Sequence, residues 1–202
     1  MKVLDAFCGM GGWSFPFVEA GDFVVGVDIA NYGYPGKLIL QDIRTLDGTK
    51  FRGFDFIVGS PPCRDFSTAT QANKGYPRRL PPDPQRGLEL IYHFERIVAE
   101  ARPKFWAMEN VSRLEKFYDV KPIWRFKVSV RGRRSLWGNI PLGMVPDITF
   151  KRKLAKDYVN FRYEERSALR SKIPYPIARI IADCVREAGE TAAEGWPFPS
   201  PP

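Results

Sequence analysis

The chain has 202 residues, 44% hydrophobic and 14% aromatic, enough for one compact core and too few for two comfortable ones. Against 23 Asp and Glu stand 31 Lys and Arg, and the formal charge of +8 favours a polyanionic partner, nucleic acid first among them. Three cysteines (Cys8, Cys63, Cys184) and the single histidine, His93, supply neither a disulfide framework nor a metal cluster. No apolar run is long enough to span a bilayer and no signal-peptide pattern is found, so the expectation is a soluble, reduced, cytoplasmic monomer without a membrane partner.

Val3 to Phe7 is an apolar run ending in Cys8-Gly9-Met10-Gly11-Gly12, and Trp13 to Ala20 reads as a helix stopped by Gly21. Phe23 to Val27 is a second strand, closed by Asp28. Lys37 to Leu40 is a third, ending at Gln41-Asp42, and Phe54 to Val58 a fourth, leading into Gly59-Ser60-Pro61-Pro62-Cys63. Gln71 to Gln85 is rich in Pro, Gly and Arg and reads as a mobile loop. From Gly87 to Ala101, Leu88, Ile91, Phe94, Ile97 and Val98 recur at helical spacing, with His93 on the helix surface. Pro103 stops that helix, and Lys104 to Met108 is a strand just before Glu109-Asn110-Val111. Phe126 to Val130 reads as a strand before the basic turn Arg131-Gly132-Arg133-Arg134, and Ile177 to Val185 as a helix. Strands alternating with helices indicate a doubly wound α/β sheet.

Ligands of such a sheet gather beyond the carboxyl ends of its strands. The glycine loop at Gly9 to Gly12 lies there, but it is not GxGxxG and no P-loop lysine follows, so a pyrophosphate site is not the first choice. Asp28 is placed to accept from ribose hydroxyls and Asp42 from an adenine amino group, which together describe a nucleoside cofactor site. Two ordinary turn aspartates explain the same residues about equally well. Pro61-Pro62 fixes the backbone before Cys63 and presents its thiol rigidly, beside Arg64, as a nucleophile would be presented. A buried structural thiol is the plainer account of that tripeptide taken alone. Glu109 would face the same cleft, where a partly buried carboxyl shares a proton with a ring nitrogen, or it is a helix N-terminal acid.

Taken in order, Asp5-Ala6-Phe7-Cys8-Gly9-Met10-Gly11-Gly12, Asp28-Ile29, Asp42-Ile43, Gly59 to Cys63 and Glu109-Asn110-Val111 resemble the motifs of the cytosine-C5 DNA methyltransferase family. The resemblance covers nearly the whole chain. It implies a mostly parallel, Rossmann-like S-adenosylmethionine methyltransferase sheet, with the cofactor held by Phe7, Gly9, Gly11, Asp28, Ile29, Asp42, Ile43 and Pro62. It also implies methyl transfer to C5 of a cytosine flipped out of double-stranded DNA, with Cys63 adding to C6, Glu109 at N3 and an arginine at O2. The arginine's motif lacks the family's glutamine here, and Arg133 is taken for that role, with Arg131 and Arg134 as alternatives. The stretch from Arg131 to Asn139 is similar to short phage and archaeal relatives.

Near the C-terminus, Ser171 to Ala178 keeps the outline of the family's return to the cofactor, with Lys172 at the asparagine position and Arg170 at the glycine. The organisation read from these matches is a cofactor-binding catalytic core over 1–140 and a reduced basic and aromatic target-recognition segment over 141–173. A helix returning to the core over 174–189 and a flexible tail over 190–202 complete it. So short a recognition segment implies relaxed sequence specificity or a partner protein that supplies recognition. The alternatives are a tRNA substrate and a catalytically silent nucleic-acid-binding relative. The Cys-Phe-Thr signature of the tRNA branch is missing, and intact Cys63 and Glu109 argue against a silent relative.

Overall fold

The computed structural model describes residues 1–67, 81–128, 132–143 and 172–191. Seven strands form one sheet: β1 (Lys2–Ala6), β2 (Phe23–Asp28), β3 (Lys37–Leu40), β4 (Phe56–Gly59), β5 (Phe105–Val111), β6 (Trp124–Lys127) and β7 (Arg133–Gly138). Their order is β3-β2-β1-β4-β5-β7-β6. The first five are parallel, and β7 runs antiparallel to both β5 and β6. The chain works outward from β1 to β3 and then restarts at β4 beside β1. That reversal opens a crevice above the carboxyl ends of β1 and β4.

Alternation along the strands divides the core. Val3, Val24, Phe56, Val58 and Phe105 pack on one face against α1 (Phe15–Glu19) and α3 (Tyr175–Thr191). Leu4, Val25, Ile57 and Trp106 pack on the other against α2 (Pro84–Ala101). Both faces of the sheet are therefore covered, which is why its central strands read as unbroken apolar runs. The doubly wound, mostly parallel α/β sheet is the architecture expected.

Several boundaries differ from expectation. Helix α2 starts inside the stretch read as a loop to Gln85, because Asp83 accepts from the backbone N–H groups of Gln85 and Arg86 at 3.0 and 3.4 Å with Pro84 next in line. Strand β5 absorbs Glu109, Asn110 and Val111, since β7 supplies a ladder partner for each. Helix α3 continues to Thr191, beyond the expected end at 189. Strand β7 begins at Arg133, inside the expected basic turn Arg131 to Arg134, and its remaining residues are a strand that the sequence reading does not contain. Its Leu136 and Trp137 are both wholly buried, on opposite faces, so no in–out alternation marks it.

Close approach fixes the β5–β7 contact. Gly138 has φ 149°, and a Cβ there would lie 2.2 Å from the Trp106 carbonyl oxygen. The Asn139 side chain accepts from the Trp106 N–H at 2.7 Å and donates to the Lys104 carbonyl at 3.0 Å. Residues 71–80 of the expected loop, 144–171 of the expected recognition segment and 192–202 of the expected tail lie outside the described residues. Among the described residues, no helix is long and apolar enough to cross a membrane.

Candidate active site

The loop after β1 is set by backbone conformation. Phe7, Gly9 and Gly11 all have positive φ, at 56°, 51° and 71°, so a phenylalanine is held where glycine is the ordinary occupant. The Gly9 N–H donates to Asp28 Oδ2 at 2.9 Å, which pins the acid at the end of β2 to the glycine loop. Behind the loop, the Ser14 hydroxyl donates to Asp5 Oδ2 at 2.6 Å and lies 2.6 Å from the Tyr34 hydroxyl. Burial, opposed by the Ser14 hydrogen bond and reinforced by the nearby Asp28 charge, pushes the Asp5 carboxyl up to about 8. Burial likewise pushes the Cys8 thiol up, which makes it a packing group rather than a nucleophile.

A cavity of about 590 Å³ opens in the crevice. Seven of the eight residues expected to hold a cofactor line it: Phe7, Gly9, Asp28, Ile29, Asp42, Ile43 and Pro62. Gly11 does not line it. It is a buried turn glycine whose Cβ would fall 2.5 Å from Pro35 Cδ, and Gly12 lines the cavity instead. Asp42 reaches the cavity already paired, with Arg44 Nη2 at 2.6 Å from its Oδ2. Hydrogen bonds from the Arg44 side chain and backbone hold its carboxyl at about 2. Trp13, Tyr32, Arg86, Leu90 and Lys172 share the wall without having been singled out as cofactor contacts. Tyr32 belongs to no motif, and Arg86 and Leu90 arrive from a helix remote in sequence. Lys172 carried a signal, its place in the outline of the cofactor return.

The turn bearing Cys63 is braced from three sides. The Trp13 indole N–H donates to Ser60 Oγ at 2.9 Å, and Asn110 Nδ2 donates to the Pro61 carbonyl at 3.0 Å. Asn110 is wholly buried, so the middle residue of Glu109-Asn110-Val111 is a brace. On the third side, Asp65 pairs with Arg86 and accepts from the Asp83 N–H at 3.2 Å, which fastens the turn to the start of α2. Burial works against the Asp65 charge, but Arg86 and the Asp83 amide outweigh it and hold the carboxyl below its ordinary value.

Arg134 completes the group. Its Nε lies 3.3 Å from Glu109 Oε1, with the two side chains 14% and 4% exposed. The Glu109 carboxylate, and then Cys63 through its charge and a side-chain hydrogen bond, raise the Arg134 pKa against the pull of burial. Arg133, the arginine expected at the site, is exposed and paired with Lys127 in the ladder, so it is Arg134 that the structure brings beside Glu109. The reason is register. Glu109 stands opposite Leu136, so alternation puts Arg134, two residues away, on the face of Glu109 and turns Arg133 to the other. Arg131 lies outside the described residues. Among the described residues Glu109 Oε1 has no hydrogen-bond partner, because the Arg134 contact is an ion pair without hydrogen-bond geometry. A buried carboxyl with an orphaned oxygen, beside a thiol and a guanidinium, can exchange a proton with a ring nitrogen brought to it.

The C-5 cytosine-specific DNA methylase family matches residues 1–126, more than half of the chain. The type II methyltransferase M.HindV of Haemophilus influenzae is 30% identical over 135 residues, 61% of this chain and 41% of that protein. The type II methyltransferase M.FnuDI of Fusobacterium nucleatum is 27% identical, over 96% of this chain and 58% of that protein. The chain thus spans less than two thirds of the length of either relative. Among solved structures, the Entamoeba histolytica methyltransferase EhMeth has the same fold, with a TM-score of 0.50 at 13% identity over 80% of this chain and 60% of that one.

Proposed function

Since the chain belongs to the C-5 cytosine-specific DNA methylase family, we propose that it transfers a methyl group from S-adenosylmethionine to C5 of a cytosine in double-stranded DNA. The observation that carries this reading is the meeting of Cys63, Glu109 and Arg134 near a cavity of nucleoside size. The cavity suits the cofactor. Asp28 stands ready for ribose hydroxyls, Asp42 and Ile43 for the adenine, and Gly9 leaves open space where a Cβ would stand. Bound there, S-adenosylmethionine supplies an electrophilic methyl group on a sulfonium.

The chain's own residues do the rest. The target cytosine leaves the base stack to reach the site. The Cys63 thiolate, beside the Arg134 guanidinium, bonds to C6, and the displaced π electrons pass through C4 to N3, which takes a proton from Glu109. Carbon C5, now an enamine carbon, takes the methyl group. Its proton then leaves to a solvent base, the C6–S bond breaks to restore the thiolate, and N3 returns its proton to Glu109. Arg134, sharing the strand face of Glu109, is assigned the hydrogen bond to O2 of the same base. Target recognition falls to the basic and aromatic segment 141–173, with a partner protein supplying what so short a segment lacks. The acting unit is taken to be a monomer.

The test is transfer from labelled S-adenosylmethionine to unmethylated genomic DNA and to tRNA, with products digested to nucleosides and Cys63→Ala as control. The expected result is 5-methyldeoxycytidine that disappears in the variant. Product confined to tRNA would keep the chemistry and overturn the substrate. Cofactor binding without product on either would overturn the enzyme in favour of a silent relative.

A further inference from the structure

The adenine end of the cavity is fastened to α2. Beyond β3 the chain makes two short 3-10 turns, Ile43–Thr45 and Gly48–Phe51. Their Ile43 and Phe51, with Leu46 between them, share one buried cluster with Ile97 and Val98 of α2. Arg96 and Glu100, one helical turn apart on α2, hold this segment at two points. Arg96 Nη2 donates to the Ile43 carbonyl at 3.2 Å, while its Nη1 donates to Glu100 Oε1 and Oε2, each at 2.9 Å. Glu100 Oε2 in turn accepts from the Gly48 N–H at 2.7 Å. The approach at Gly48 is close, since a Cβ there would fall 2.7 Å from Glu100 Oε2 and 2.9 Å from Ile97 Cα. An ion pair at this spacing on an open helix face contributes little. This one binds the backbone of another segment.

We propose that Arg96, together with Glu100, is a positioning residue for the cofactor: it holds the turn at Asp42 and Ile43 in the register by which Asp42 selects the 6-amino group of adenine. This deepens the cofactor assignment above and rests on it. Arg96 is not part of the cavity wall and acts through the turn. Ile43 lines the cavity and gives its carbonyl to Arg96. Asp42 caps the same turn, its Oδ1 accepting from the Arg44 N–H at 2.9 Å, so its carboxylate moves with whatever holds the turn. Arg44 also donates to that carboxylate through Nε and Nη2. About one of a carboxylate's roughly four acceptor positions is then left for an amino group. With a single position left, a small shift of the turn removes the bond, because hydrogen bonds weaken steeply away from good geometry.

The test is calorimetric binding of S-adenosylhomocysteine and of its 6-desamino analogue, which carries purine in place of adenine, to the wild-type chain, Arg96→Met and Gly48→Ala. The wild type is expected to bind the amino form about tenfold tighter, as a hydrogen bond to a charged acceptor provides. Arg96→Met removes the bond to Ile43, and Gly48→Ala presses the segment away from Glu100. Each is expected to reduce the preference to less than about threefold. Circular dichroism checks that the variants fold, and Gly48→Ala carries the test should Arg96→Met not. A purely structural role for the pair would lower the melting temperature and leave the ratio of the two affinities where it was. A folded variant that kept the full preference would therefore overturn the positioning role alone. A wild type that bound both compounds equally would overturn it together with the adenine role of Asp42, and one that bound neither would overturn the cofactor assignment as well.

Discussion

Arg133 and Arg134 are adjacent, carry the same charge and differ only in which side of β7 they leave. Only Arg134 contacts Glu109. Replacing Arg134 by alanine should lower methyl transfer roughly a hundredfold, the usual loss when one donor to a developing charge is removed. Arg133→Ala should change it less than about threefold, as surface substitutions do. Equal losses in the labelled-transfer assay would return the role to the pair. Asp5 makes a second prediction. Its carboxyl stands at about 8 in the folded chain against an ordinary 3.8, so between those values the folded chain holds a proton that the unfolded chain has released. The stability this contributes is complete below the lower value and lost as pH rises through the upper one. Asp5→Asn, neutral throughout, should therefore gain on wild type in unfolding free energy steadily from about pH 5 to pH 8. Chemical denaturation across that range checks it, and a constant difference would place the proton elsewhere.

Among the elements, β7 and the Cys63 turn decide whether the reacting groups meet. A Cβ at Gly138 would fall 2.2 Å from the Trp106 carbonyl oxygen, so β7 would have to withdraw from β5 and take Arg134 with it. Gly138→Ala should destabilise the chain by about 3 kcal/mol, the sum of overpacking and backbone strain, measured by urea unfolding. The Cys63 turn depends on Asp65 and Arg86 in the same way. Asp65→Ala should lower kcat about tenfold through a misplaced thiol, with S-adenosylmethionine Kd moving less than about threefold. A parallel loss of cofactor affinity would mean that the turn and the cavity cannot be separated. The first five strands, part of β6 and both long helices were readable from apolar runs and helical spacing. Strand β7 was not, because a strand buried on both faces between antiparallel neighbours shows no alternation.

The whole molecule brings its chemistry to one end of a sheet covered on both faces, and its formal charge is +8. Binding to duplex DNA should weaken by at least about tenfold between roughly 50 and 200 mM salt, while cofactor affinity changes far less. Gel-shift titration at both salts would show it, and salt-independent DNA binding would contradict a phosphate-led interface. The doubly wound sheet and the glycine loop were determined by the sequence, as was the choice of Asp28, Cys63 and Glu109 as the residues proposed for the site, because local pattern and motif order are properties of the chain itself. Tertiary structure alone decided that Arg134 and not Arg133 meets Glu109, that Gly11 packs on Pro35 while Gly12 lines the cavity, and that Lys172 closes it. Each of those outcomes depends on register or close approach between segments far apart in sequence, which no local pattern encodes.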